Sequence, residues 1–256
     1  MAVLAVGDQV LLIDTKARRY LITLAEGAEF HSHTGLLAHD LLVGREEGIT
    51  VTSSRGSRFM VFRPTLADFV LKMPRGAQVI YPKDLGPILF LADIFPGARV
   101  LESGVGSGAL SMTLLRAGAD VVGYELREDF AARARANVAR FLGPAAADRY
   151  RVEIRSGYDG IDATGLDRIV LDLPEPWQVI KGAERALRPG GILVAYTPSI
   201  VQAAQLHEAL GSSAFSLGET IEVLHRGWHI DGLAVRPDHR MVAHTGFLTS
   251  ARLLSP

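Results

Sequence analysis

The stretch Val100–Gly108, VLESGVGSG, constrains this chain more than any other, because an apolar strand-like run passes through three alternating glycines directly into a helix-like run. Gly104, Gly106 and Gly108 let the backbone turn tightly and approach a ligand without Cβ clashes, and the helix that follows presents unpaired N–H groups at its start. The turn fits nucleotide-binding folds in general, since Gly104, Gly106 and Ala109 also satisfy the dinucleotide pattern G-x-G-x-x-G/A. Around it the order is strand, helix, strand. Lys83 to Ile94 reads as helix, Arg99 to Glu102 as strand, Ala109 to Ala117 as helix, Asp120 to Glu125 as strand and Glu128 to Phe141 as helix. The alternation continues through strands at Tyr150 to Arg155 and Arg168 to Leu171, a helix at Trp177 to Leu187, a stop at Arg188 to Gly191, a strand at Ile192 to Tyr196 and a helix capped by Ser199. That order predicts an α/β fold, a Rossmann-like parallel sheet. After Phe215 further β-like segments are expected to complete the far edge of the sheet with antiparallel strands.

The first seventy residues read differently. QVLLID, RYLITL, GITVTSS and SRFMVFR are short, rich in β-branched and aromatic residues, and separated by Gly, Asp and Ser clusters. They predict a small N-terminal β domain, residues 1–73 with a connecting helix over Leu66 to Met73, followed by a larger domain over residues 74–256.

In open parallel sheets ligands bind beyond the carboxyl ends of the strands. Glu102, Glu125, the Ser156-Gly157-Tyr158 turn and Asp172 each follow a strand, so the sequence predicts that they converge there. Glu125, one strand after the glycine loop, suits the two hydroxyls of a ribose. Glu102 sits just before the loop, where a carboxylate favours a ligand carrying ammonium and sulfonium groups over one carrying a pyrophosphate. Asp172-Leu173-Pro174-Glu175-Pro176-Trp177 places an acid and an aromatic ring where a methyl acceptor would lie, with no His or Lys suited to hydride transfer. These features favour S-adenosyl-L-methionine over a nicotinamide dinucleotide. Glu102, Gly104, Gly106, Ser107, Gly108, Ala109, Leu110, Glu125, Phe130, Ser156, Gly157, Tyr158 and Asp172 form the expected cofactor site, and Asp172 is the expected catalytic carboxylate, a hydrogen-bond acceptor toward the methyl acceptor. Trp177 reads as packing support for its turn.

Composition narrows the classes. The 256 residues contain no cysteine, which excludes disulfides and thiolate chemistry. His31 and His33 lack a carboxylate cluster nearby, so no metal is expected. No apolar run spans a membrane and no signal peptide is indicated, so a cytoplasmic protein is expected. The formal net charge of −1 gives no general attraction for nucleic acid. Local charge differs: Arg55, Arg58, Arg63, Lys72, Arg75 and Lys83 face only Asp68, and Arg226, Arg236, Arg240 and Arg252 face Asp231 and Asp238, so both runs are candidates for a phosphate track.

The E-x-G-x-G-S-G loop, QVIYPKD (Gln78 to Asp84), LDLPEPW (Leu171 to Trp177), VAYTPSIVQ (Val194 to Gln202) and HTGFL (His244 to Leu248) together resemble the bacterial and archaeal tRNA adenine-58 N1-methyltransferases, class I S-adenosylmethionine-dependent enzymes. The resemblance spans nearly the whole chain. It implies methylation of N1 of adenine 58 in the T loop, a tRNA partner and a homotetramer. It also implies that Tyr81 and Tyr196 lie beside the target base and that His244 and Thr245 approach the substrate. One position departs: where relatives carry an acid after Ser156 to hold the cofactor adenine, this chain has Gly157 and Tyr158, with Asp159 as a substitute. The residues alone leave open a methyltransferase acting on protein, such as an isoaspartyl methyltransferase, a NAD-dependent dehydrogenase, and a catalytically silent binding module.

Overall fold

The computed structural model describes residues 3–76 and 78–255. The chain divides into two compact units, Met1–Met73 and Pro74–Pro256.

The first unit contains β1 (Gln9–Asp14), β2 (Arg19–Thr23), β3 (Glu29–Ser32), β4 (Gly35–Ala38), β5 (Ile49–Thr52), β6 (Arg58–Phe62) and α1 (Leu66–Lys72). Strands β2-β1-β6-β5 form an antiparallel sheet, and β3 and β4 pair as a separate hairpin. Period-two alternation sets the buried face: Phe59 and Val61 of β6 point into a core with Val10, Leu12 and Leu24, while Arg58, Met60 and Phe62 are exposed. α1 opens with a reciprocal capping box between Thr65 and Asp68, and Arg19 donates to the Asp68 carboxylate at 2.5 Å.

The second unit runs α2 (Pro82–Leu91), β7 (Arg99–Ser103), α3 (Ala109–Arg116), β8 (Asp120–Glu125), α4 (Glu128–Leu142), β9 (Tyr150–Ile154), β10 (Leu166–Leu171), α5 (Ile180–Ala186), β11 (Leu187–Thr197), α6 (Ile200–Gly211), β12 (Phe215–Glu222), β13 (Trp228–Asp231), β14 (Ala234–Pro237) and β15 (Phe247–Leu253). Seven strands form one sheet in the order β12-β15-β11-β10-β7-β8-β9. The five strands from β11 to β9 are parallel; β15 runs against them, and β12, antiparallel to β15, runs in the same direction as the five, so the expected antiparallel edge is reduced to one reversed strand. Apolar runs such as Ile169–Leu171 and Ile192–Ala195 are continuous because helices cover both faces of a parallel sheet.

Two segments depart from the expected pattern. Arg188–Gly191 does not end before a strand but lies within β11, whose pairing with β10 slips between Leu166–Leu187 and Arg168–Ile192. Gly190, at φ +76°, provides the left-handed residue that such a bulge needs. Of the segments after Phe215, only β12 and β15 extend the sheet, whereas β13 and β14 pair with each other alone. Strand order reverses between β7 and β10, and the crevice of a doubly wound sheet opens at the carboxyl ends there.

Candidate active site

The glycine loop is shaped by contacts as well as by turning. Gly104 has φ +92°, and any side chain on it would run into the Asp172 carbonyl. The Asp172 N–H donates to the Ser103 carbonyl at 2.9 Å, so the ends of β7 and β10 are locked together through this bare backbone. Gly106, at φ +57°, has no atom within 4 Å of the place a Cβ would occupy, which leaves room for a ligand. Its N–H donates to Glu125 Oε2 at 2.9 Å, and Arg127 N–H donates to Glu125 Oε1 at 3.0 Å. Gly108 serves packing: its missing Cβ faces the backbone and methyl of Ala134, which lets α3 start against α4.

Three carboxylates meet at this end of the sheet. Glu102 is completely buried, and one of its oxygens accepts from Ser111 Oγ at 2.6 Å, whose hydroxyl in turn accepts from Tyr150 at 2.9 Å. The other oxygen, like the hydroxyls of Ser103 and Ser107, is buried without a hydrogen-bond partner among the described residues. Burial, reinforced by the charges of Asp172 and Glu125 against the Ser111 hydrogen bond, pushes the Glu102 carboxyl up to about 8. The Asp172 carboxyl is pushed up to about 7 by burial and by Glu125. Its side chain accepts no hydrogen bond among the described residues. An arrangement of partnerless buried acceptors and raised acids suits a ligand that brings donors and positive charge.

Two cavities meet here. One, of about 410 Å³, is walled by the glycine loop at Gly104 and Gly106, by Glu125, and by the Ser156-Gly157-Tyr158 turn, in which Ser156 Oγ accepts from the Tyr158 N–H at 3.1 Å. A side recess brings in Glu102, Ser107, Ala109 and Leu110. The second cavity, of about 340 Å³, is walled by Tyr196, Thr245, Pro198 and Gln202. Gln78, Asp172, Leu173 and Pro174 belong to both walls, so Asp172 stands where the two spaces join.

Several expected residues lie elsewhere. Gly108 lines neither cavity, and Phe130 is buried beneath the guanidinium of Arg127, 3.3 Å from its ring centre. Asp159 is exposed and outside the walls. Tyr81 is the N-cap of α2 and lines neither space, although its phenol is near enough to raise that of Tyr196. Tyr196 donates its hydroxyl to the Thr245 carbonyl at 2.5 Å, and burial, with smaller contributions from Asp84 and Asp172, pushes its phenol up to about 12. Trp177 packs against the main core. The ring nitrogens of His244 face only acceptors, Glu222 Oε1 at 2.7 Å and the Pro198 carbonyl at 2.9 Å, so both carry protons when the contacts are satisfied; these bonds raise its pKa.

The expected phosphate track also thins. Lys83 is buried against Asp84, and Arg63 is paired with Asp8 at 2.8 Å, whereas Arg55 and Arg58 are exposed. His31 and His33 are exposed as well, the former 3.4 Å from Glu29. Sequence reasoning missed Gln78, Arg127 and Arg155 as wall residues. Gln78 opens the QVIYPKD motif, which was its only signal. Arg155 stacks over Tyr124 at 4.6 Å and pairs with Asp162, contacts that no local pattern announces.

The sheet order, the crevice and the acids at its strand ends define a Rossmann-like class I methyltransferase. Comparison with known proteins narrows this. The model of a family described as the tRNA methyltransferase complex GCD14 subunit matches residues 58–233, and that of a TrmI-like N-terminal region matches residues 3–51. A tRNA (adenine(58)-N(1))-methyltransferase of Thermus thermophilus is 37% identical over 247 residues, covering 95% of this chain and 96% of the relative. A tRNA (m1A58) methyltransferase structure from Aquifex aeolicus superposes with a TM-score of 0.88 at 28% identity, covering 100% of both chains. A structure from Thermotoga maritima, described as a SAM-dependent O-methyltransferase, superposes at 0.94 with 30% identity, over 99% of this chain and 95% of that one. The chain belongs to the tRNA (adenine-58-N1)-methyltransferase family.

Proposed function

We propose that this protein transfers a methyl group from S-adenosyl-L-methionine to N1 of adenine 58 in the T loop of tRNA. The observation that carries the reading is the pair of cavities joined at Asp172, one built around a glycine loop and acids, the other beside Tyr196.

Glu125 would hold the ribose, the Gly104–Gly106 backbone the adjoining chain, and the partnerless oxygen of Glu102 the cationic end of the cofactor. Bound there, S-adenosylmethionine supplies an electrophilic methyl group on a sulfonium whose leaving thioether is neutral. What remains for the protein is positioning of the acceptor for in-line approach at about 3 Å. The N1 lone pair of adenine lies in the ring plane, and its methylation spreads positive charge over the ring and the 6-amino group. Asp172, the shared wall residue without a partner, accepts a hydrogen bond from that amine. This bond strengthens as charge develops, so it stabilises the transition state more than the ground state. With its carboxyl raised to about 7, Asp172 is suited to take up the amine proton afterwards. Tyr196 offers a ring on which the extruded base stacks, with Tyr81 in support.

Exposed Arg55, Arg58 and Lys72 are the remaining candidates for phosphate contact in the first unit. The reading further places the protein in the cytoplasm with its substrate, as a homotetramer. The exposed apolar residues Trp228, Ile230 and Leu233 on the β13–β14 hairpin support self-association.

Nucleoside analysis of tRNA incubated with methyl-labelled S-adenosylmethionine tests the reading. One N1-methyladenosine per unmodified tRNA is expected, and none when adenine 58 is replaced by guanine. Label on the guanine variant at the wild-type rate, or on a hydroxyl or a protein, rejects it.

A further inference from the structure

The proposed chemistry leaves one buried ion pair without a role. Asp84 is completely buried and the Lys83 side chain is 5% exposed. Lys83 Nζ donates to Asp84 Oδ1 at 2.8 Å and to the Val223 carbonyl at 2.6 Å. The other Asp84 oxygen accepts from the Thr245 hydroxyl at 2.6 Å, and the carbonyl of Thr245 is the group that accepts from Tyr196. Beside it Gly246 lies so close under the Tyr196 ring that any side chain there would collide with it. Four distant segments are therefore tied at one point: the first turn of α2, the residues after β12, those before β15 and the end of β11.

Two members of this network, Tyr196 and Thr245, face the second cavity. We propose that Asp84 is a positioning residue of the acceptor site, holding the Thr245–Gly246 segment so that it seats the Tyr196 ring in the cavity wall. The inference rests on reading that cavity as the acceptor site. A buried charge pair contributes little net stability compared with apolar residues of the same volume, but its directed hydrogen bonds permit few alternative arrangements. Without the Asp84 bond, the Thr245 hydroxyl would lose its side-chain tether to α2, and the seat beneath the ring would be free to shift.

Thr245→Val tests this cleanly, because it keeps the side-chain shape and leaves the Lys83–Asp84 pair intact. The Michaelis constant for tRNA is expected to rise about tenfold while the affinity for S-adenosylhomocysteine stays within twofold of wild type, and Thr245→Ser is expected to restore it. In protein labelled with 3-fluorotyrosine, the fluorine resonance of Tyr196, assigned by its loss in Tyr196→Phe, should shift or broaden in Thr245→Val and return in Thr245→Ser. An active wild-type enzyme whose Thr245→Val variant keeps both the Michaelis constant and the resonance overturns the role of Asp84 and leaves the proposed function standing. A wild-type protein that leaves tRNA unmethylated overturns the function and this role with it.

Discussion

Asp84 is fully buried and Asp172 half-buried within one unit, and their surroundings are opposite. Asp84 has a partner for each oxygen, one cationic and one hydroxyl, whereas Asp172 has none among the described residues. Glu102 falls between them, with one oxygen satisfied by Ser111 and one left bare. The contrast separates two uses of buried charge. Asp84, proposed to hold a geometry, is supplied with partners; at Glu102 and Asp172, which the proposed function turns toward ligands, partners are withheld and burial raises the acid's pKa.

The largest effect expected from this contrast is on stability. Asp84→Asn leaves Lys83 buried without a counter-charge and should cost about 3 kcal/mol in chemical denaturation at neutral pH, while Asp172→Asn should leave the ligand-free protein as stable or more so. Equal losses from the two substitutions would erase the distinction.

Catalysis should invert the order. Asp172→Ala is expected to lower turnover about a hundredfold in single-turnover assays, with a much smaller change in S-adenosylhomocysteine affinity. Near-normal turnover would remove this carboxylate from the mechanism.

Glu125 sharpens the comparison, since each of its oxygens already accepts one backbone N–H and retains capacity for a ribose hydroxyl. Calorimetry on Glu125→Ala should show cofactor affinity reduced roughly thirtyfold, the equivalent of about 2 kcal/mol. Unchanged affinity would place the ribose elsewhere.

The smallest effect is the dependence on pH. Glu102 and Asp172 bind protons more tightly in the empty folded protein than in the unfolded chain, so ligand-free stability should decline as pH rises from the ordinary carboxylate range to about 8. A cationic ligand binds the deprotonated acids, so its affinity should increase over the same window. For the Glu102 carboxyl near 8, S-adenosylmethionine should bind about tenfold more tightly at pH 7 than at pH 6, with proton release visible as a buffer-dependent binding enthalpy. A flat profile would mean that these acids are already ionised in the empty site.

Much of this end of the molecule was legible in the residues. The glycine loop, Glu125 and Asp172 follow strands whose apolar runs are unmistakable, and a doubly wound sheet sends every such strand end to the same edge. Gly108 was harder to read, because a glycine at a helix start looks the same whether it faces a ligand or, as here, the backbone of Ala134. Lys83 was misleading: in sequence it continued a basic run, and only the fold shows it buried against its neighbour Asp84 and the carbonyl of Val223. The β13–β14 hairpin has the same β-like composition as β12 and β15, and nothing local says which segments join the sheet.

The sequence by itself determined the strand-loop-helix order, the small β region at the front and the acids that reach the sheet edge. These follow from backbone sterics and hydrophobic period, which act over a few neighbouring residues. The tertiary structure alone decided which acids are partnered. Asp84 meets Thr245 across 161 positions of chain, whereas the Asp172 carboxylate, at the join of two cavities, meets no hydrogen-bond partner among the described residues. Partnership and desolvation are properties of a packed interior, where groups remote in sequence exclude water together.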